Sequence, residues 1–192
     1  THNGTKIYTC ALICFAELGN RVICVDNNAQ KLAALQKGKV PFFEPGLSEL
    51  VKKNIAKKRL FFSEDISSSV KKSKVVFIAV GTPPKPDGEA DLSFVQNVAG
   101  HIAKSIEKYT VIVEKSTVPV GTGQSVIKSI EQAGTKKNLF DVVSNPEFLR
   151  EGSAITDFLK PDRVVVGTSS LKAKKIMEKL YKPLKTTVIF TD

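Results

Sequence analysis

The sequence has no tryptophan, one methionine, two histidines and three cysteines in 192 residues. Each scarcity removes a class of chemistry. His2 and His101 stand alone, far from any cysteine or paired carboxylate, so metal-ligand spacing is absent and no metal site is expected. Cys10 and Cys14 sit four apart among Ala11, Leu12, Ile13 and Phe15, and Cys24 lies inside RVICVD. All three read as buried, reduced core thiols. No apolar run approaches the ~20 residues of a membrane span, and the N-terminus shows no signal-peptide pattern. A cytoplasmic protein with no membrane partner is expected. Internal repeats and low-complexity linkers are also lacking, and the length suits one domain with a substantial core.

Charge of one sign is in excess: 29 Lys and Arg stand against 19 Asp and Glu, a net +10. The clusters Lys52-Lys53, Lys57-Lys58-Arg59, Lys71-Lys72-Lys74 and Lys172-Lys174-Lys175 fall on helix faces or ends. Aromatics do not interleave them, so a solvated lysine-rich surface is expected and no nucleic-acid partner. A positive field mildly favours anionic nucleotide ligands.

What the chain does have is alternation. Helical spacing over 8–19 precedes RVICVD, an apolar strand ending on Asp26. Asn27 or Asn28 can cap the next helix, to Lys37. A PFFEPG loop, a helix over 47–58, a short LFF strand and a short helix over 65–72 follow. KVVFIAV, TVIVE, LFDVVS, RVVVG and TTVIFTD then read as strands, separated by helices over 91–108, 121–133, 151–158 and 171–181. This order predicts an α/β, doubly wound, mostly parallel sheet of Rossmann-like type. Ligands of such folds bind beyond the carboxyl ends of the strands.

One expected feature is absent. A nucleotide-binding α/β domain begins strand, glycine-rich turn, helix. Here the first strand is reduced to Lys6-Ile7, and no G-x-G-x-x-G precedes Tyr8. Either about ten residues are missing between Ile7 and Tyr8 in the sequence as given, or the chain truly lacks them. The orderly helix, strand and acid that follow favour the former, and an intact mass decides.

Three stretches carry polar groups just past strand-like runs. In VGTPP, Gly81 allows close backbone approach and Thr82 offers a hydroxyl. Ordinary proline-rich loop structure explains it equally. In EKSTVPVGT, Ser116 and Thr117 present hydroxyls near a helix start, which suits a polar ligand or simple capping. SNPEFLREG sets Glu147 and Glu151 four apart, sharing a face only if the segment is helical. A carboxylate in a closed cleft can act as a base, while the plain alternative is a capped turn with an Arg–Glu surface pair.

With these motifs in view, CFAELGN, VICVD, FEPGL, FIAVGTPP, KSTVPVGT, NPEFLREG and PDRVVVG, in this order, resemble the nucleotide-sugar 6-dehydrogenases of the UDP-glucose/GDP-mannose dehydrogenase family. The resemblance covers 15–192 and implies that 1–192 is that family's N-terminal NAD-binding domain. The central helix and the UDP-binding domain are absent. It implies oxidation of UDP-glucose to UDP-glucuronate with two NAD and water, through a thioester on a cysteine outside this chain. It also implies a homo-oligomer for the full-length protein and no turnover by this chain alone. By the same resemblance, Asp26 would bind the adenosine ribose with Lys31 beside it, and Val80, Gly81 and Thr82 would line the dinucleotide site. Ser116 and Thr117 would lie near the nicotinamide, Thr117 helping to hold a catalytic water. Glu147 would assist thioester hydrolysis; Phe148, Leu149 and Arg150 would border the UDP-sugar; Glu151 would touch both ligands. The family's GxGYVG-type turn is missing, which puts pyrophosphate binding in doubt. Cys10, Cys14 and Cys24 match nothing in its catalytic-cysteine motif. Two other readings stay open: a sister enzyme for UDP-N-acetylmannosamine or GDP-mannose, and a non-catalytic nucleotide-binding module.

Overall fold

The computed structural model describes residues 3–83, 85–86, 90–115 and 121–191. Its elements are α1 (Asn3–Glu17), β1 (Val22–Val25), α2 (Ala29–Gln36), α3 (Leu47–Ala56), β2 (Leu60–Ser63), α4 (Ile66–Lys72), β3 (Val75–Ile78), α5 (Ser93–Ala103), β4 (Thr110–Glu114), α6 (Thr122–Gln132), β5 (Phe140–Ser144), α7 (Ala154–Leu159), β6 (Arg163–Gly167), α8 (Leu171–Tyr181) and β7 (Thr187–Thr191). The mixed α/β architecture and its strand–helix alternation match the expectation from sequence.

The chain divides into two compact units. One comprises Ile66–Glu147 and Arg163–Asp192 together with Thr1–Gly4; the other comprises Thr5–Asp65 and Phe148–Asp162.

The larger unit is built on a five-stranded sheet in the order β3-β4-β5-β6-β7. β4 is buried at every position, which is why Thr110–Val113 is a β-branched run rather than an alternating one, with the buried Glu114 at its end. β3, β4 and β5 run parallel in full register, Ile78 opposite Glu114 and Glu114 opposite Ser144. Their carboxyl ends therefore lie side by side. β6 then pairs antiparallel with β5 through Ser144 and Gly167, and β7 runs parallel to β6. This reversal is what "mostly" parallel amounts to here. α5 and α6 pack on each other and on β3 and β5, burying Val95, Ala99, Ile102, Val126 and Ile130 against Ile78 and Ile112. Ser170 caps α8, its hydroxyl accepting the Ala173 N–H at 3.2 Å.

The smaller unit holds a two-stranded parallel sheet, β1-β2. Cys10, Ile13, Ala16, Cys24, Leu47, Val51, Leu60 and Ala154 form its core, and Phe15 meets Phe158 edge to face. All three cysteines are buried and none is in a disulfide. Asn28 is the α2 cap, its side chain accepting the Lys31 N–H at 2.9 Å. Gly19, at φ +97°, ends α1 by donating to the Ala16 carbonyl, a left-handed stop that glycine adopts without a Cβ penalty.

Three boundaries differ from expectation. Lys6-Ile7 is not a strand remnant: Ile7 and Tyr8 are consecutive residues of α1, which begins at Asn3. A two-residue strand satisfies few backbone groups, whereas a helix satisfies them locally. No described strand pairs with β1 opposite β2, or with β3 opposite β4, so the two sheets stay separate. α5 starts at Ser93 and stops at Ala103, well inside the span expected over 91–108. α7 starts at Ala154, not 151, because Arg150 and Gly152 are held in turns by side chains described below.

Candidate functional site

In the larger unit, the three motif loops leave from the adjacent carboxyl ends of β3, β4 and β5. Val80, Gly81 and Thr82 follow β3. A Cβ built on Gly81 would meet no heavy atom of the described residues within 4 Å, so among them the backbone there is open to approach. Ser116 and Thr117, expected near a nicotinamide, lie outside the described residues, as does Pro84 of VGTPP.

The end of β5 is the most polar part of this unit's interior. Asn145, 1% exposed, gives its backbone N–H to the Glu114 carbonyl at 2.9 Å and its side-chain N–H to the Val165 carbonyl at 2.7 Å. Its side-chain oxygen accepts the Tyr181 hydroxyl. The Lys115 ammonium lies 3.4 Å from the Asn145 carbonyl and 3.5 Å from Oδ1. Lys115 is 5% exposed, an unusual place for a lysine. Burial pushes its pKa down to about 8, against the opposing pull of Glu147 and Glu114. Glu147 moves the other way. Burial pushes its carboxyl up to about 7, with the Lys115 charge resisting. Glu147 Oε2 is buried and makes no hydrogen bond among the described residues. A half-buried carboxyl pushed up toward neutrality, with one oxygen that has no partner among the described residues, can accept a proton from water.

The smaller unit holds the remaining candidates. Asp26 ends β1. Its carboxylate accepts the Asn28 N–H at 3.0 Å and forms an ion pair with Lys31. Arg150 is forked onto Asp157, with Nε to Oδ2 at 3.1 Å and Nη2 to Oδ1 at 2.7 Å, while Ser153 donates to the same carboxylate. These bonds hold Asp157 well below the usual carboxylate range. Phe148 is exposed, and Leu149 packs on the unit's core. Glu151 lines a small cavity with Ile7, Cys10, Phe42, Phe43 and Glu44. Residues 145–150 have no regular structure, so Glu147 and Glu151 are not partners on a helix face.

Sequence reasoning passed over Lys115, Asn145, Tyr181 and Glu44. The Glu44 carboxylate accepts the N–H groups of Gly152 and Ala154, both at 2.8 Å, fixing the turn ahead of α7. A lysine directly after a fully buried five-residue strand was the one available signal for Lys115, since that position continues a buried run.

Comparison with known proteins decides the family. The UDP-glucose/GDP-mannose dehydrogenase family, NAD binding domain, matches residues 7–185. The chain belongs to this family. It is similar to the UDP-glucose 6-dehydrogenase TuaD of Bacillus subtilis (strain 168), with 49% identity over 179 residues, 93% of this chain and 39% of the relative. A UDP-glucose dehydrogenase structure from the hyperthermophilic archaeon Pyrobaculum islandicum superposes with a TM-score of 0.91 at 38% identity, covering 96% of this chain and 43% of that one. The GDP-mannose dehydrogenase of Pseudomonas aeruginosa, solved as a ternary complex, gives a TM-score of 0.92 at 34% identity, over 95% and 43% of the two chains. The chain thus spans about two fifths of the dehydrogenases it matches.

Membership makes NAD the cofactor to fit. The Asp26 carboxylate, at the end of β1 with a lysine beside it, suits a ribose diol, and the open backbone at Gly81 suits a flat ligand. Among the described residues, no glycine-rich turn joins a strand to α1 as a pyrophosphate cradle.

Proposed function

We propose that this chain is the cofactor-side part of an enzyme that oxidises the C6 alcohol of UDP-glucose to a carboxylate. Two NAD accept two hydrides, one water enters, and UDP-glucuronate leaves. An acyl group carried as a thioester on a cysteine outside this chain is the species that water must attack.

The observation that carries this reading is Glu147: its carboxyl lies three residues past β5, is pushed up to about 7 by burial, and has a buried oxygen without a partner among the described residues. In its ionised form it takes a proton from the attacking water, and in its protonated form it returns one. Thr117 shares the holding of that water. Asp26 accepts from the adenosine ribose, with Lys31 orienting the carboxylate. Val80, Gly81 and Thr82 line the dinucleotide with their backbone, and Ser116 and Thr117 border the nicotinamide. Phe148, Leu149 and Arg150 border the UDP-sugar, and Glu151 contacts both ligands. Bound NAD supplies the hydride acceptor; this chain supplies orientation and the water's base.

The test is Glu147→Gln in the full-length enzyme. The hydride steps should survive while thioester hydrolysis slows by about 10²–10⁴-fold, so that a burst of NADH is followed by trapped acyl-enzyme. Wild-type steady-state turnover by that variant would overturn the role. Comparing UDP-glucose with GDP-mannose and UDP-N-acetylmannosamine separates the sister activities, a choice kept open by the likeness to a GDP-mannose dehydrogenase. No turnover of any of the three would favour a non-catalytic nucleotide-binding module. The parent enzyme is read as a cytoplasmic homo-oligomer.

A further inference from the structure

Asn145 is held from more directions than the end of a strand requires. Its backbone N–H goes to Glu114 at the end of β4, and its side-chain N–H to Val165 within β6. Its side-chain oxygen takes the hydroxyl of Tyr181, the last residue of α8. The Lys115 ammonium reaches both its carbonyl and its side-chain oxygen. Lys115, Tyr181 and Asn145 are 5%, 2% and 1% exposed, so all three polar groups have been taken out of water, a costly arrangement for a lysine above all.

Local chain stiffness gives the arrangement a consequence. Asn145 precedes Pro146, which restricts its backbone to extended geometry, and the proline ring then fixes its own φ. Glu147 is the next residue. Little rotational freedom separates the Asn145 plane from the Glu147 backbone, so whatever fixes the first aims the second.

We propose that Lys115 and Tyr181 clamp Asn145 and are thereby positioning residues for the Glu147 carboxyl, an assignment that rests on Glu147 being the group that activates water. Lys115 has a second part, as the cation whose field favours ionised Glu147. Among the described residues of this unit, the charged or titratable groups coupled to Glu147 are Lys115, just past β4, and Tyr181, at the end of α8; Glu114 acts on Lys115. Packing alone is the competing explanation for Tyr181, which shares the buried face of α8 with Ala173 and Met177.

The test uses the 192-residue chain with ¹³C-carboxyl glutamate, the Glu147 resonance being assigned by its loss in Glu147→Gln. Lys115→Met should raise the Glu147 titration midpoint by about half a pH unit or more, because the favourable cation is gone. Lys115→Arg, which keeps the charge, should restore most of it. Tyr181→Phe should also raise the midpoint, since Lys115 becomes the lone donor to Asn145 Oδ1 among the described residues and is drawn away from Glu147. A Tyr181→Phe chain that melts lower but titrates like wild type would make Tyr181 a packing residue and overturn the clamp. If Lys115→Met does not fold by circular dichroism, Tyr181→Phe and Lys115→Arg decide alone. Full-length Glu147→Gln with unimpaired turnover would remove the catalytic purpose and leave these titration results standing, so the two failures are distinguishable.

Discussion

Glu44 and Ala154 stand 110 residues apart in sequence and are joined by a 2.8 Å hydrogen bond from the Ala154 N–H to the Glu44 carboxylate. The same carboxylate takes the Gly152 N–H at 2.8 Å. One side chain of the FFEPGL loop thus fixes the turn that follows Phe148–Glu151.

Removing it should be felt as stability. Gly152 is exposed and its N–H can return to water, but Ala154 is fully buried. Glu44→Ala should therefore cost about 1–3 kcal/mol, set mainly by the stranded Ala154 donor. Glu44→Gln, which keeps one acceptor oxygen, should cost less. Urea unfolding of the two variants beside wild type gives the comparison, and equal midpoints would show that water replaces the carboxylate freely.

Asp26 supports a binding prediction. Its carboxylate is already shaped by Asn28 and Lys31, so a ribose diol meets a fixed acceptor. Asp26→Ala should weaken NAD binding about 10–100-fold, the worth of a charged hydrogen bond. Calorimetry reads it directly, and unchanged affinity would place the adenosine elsewhere.

Lys115 and Glu147 predict an unusual pH profile. Glu147 is raised from 4.5 to about 7, so the folded chain holds a proton that the unfolded chain has lost, and stability falls as pH rises from about 4.5 to 7. Lys115 is lowered from 10.5 to about 8, so between those values the unfolded chain holds the extra proton and stability rises with pH. Together they place a local minimum near pH 7–8. Glu147→Gln should flatten the acid side of that dip and Lys115→Met the alkaline side. Denaturant midpoints across pH, taken as differences from wild type, remove the background from other groups.

The cysteines should be silent. Burial pushes the Cys14 thiol far up and that of Cys24 to about 12, and Cys10 is 1% exposed. A thiol reagent at pH 8 should therefore label none in the folded chain and all three in urea. Rapid labelling of a native cysteine would reopen a chemical role for it.

Much of this was readable from sequence, for identifiable reasons. TVIVE and RVVVG are the full extents of β4 and β6, because unbroken β-branched runs with polar ends leave no other register for a buried strand. Asn28 was one of two residues named as the α2 cap. The reversal of β6 was not readable, since strand direction depends on what the chain does between Glu147 and Arg163 and not on RVVVG itself. Lys6-Ile7 looked like a strand only by analogy with a fold that needs one there; without the rest of that strand the residues join α1. Asp26 and Glu147 stand out as candidates because acids after apolar runs are conspicuous. Lys115 and Tyr181 could not, because a lysine and a helix-terminal tyrosine look like surface until burial is known.

The division of the chain also sets a timetable. The smaller unit is assembled from Thr5–Asp65 and Phe148–Asp162, so its Phe158 and Ala154 core contributions emerge long after its first strand. At a synthesis rate of about 5–20 residues per second, the early segment waits roughly 5–20 s for the peptide that completes it. During that wait Cys10, Cys24 and Leu60 lack Ala154, and the backbone edge of Val22–Val25 is without a described neighbour opposite Leu60–Ser63. The nascent chain is thus most exposed to chaperone capture, or to wrong pairing with a sister chain on the same message, between the synthesis of its first and last thirds.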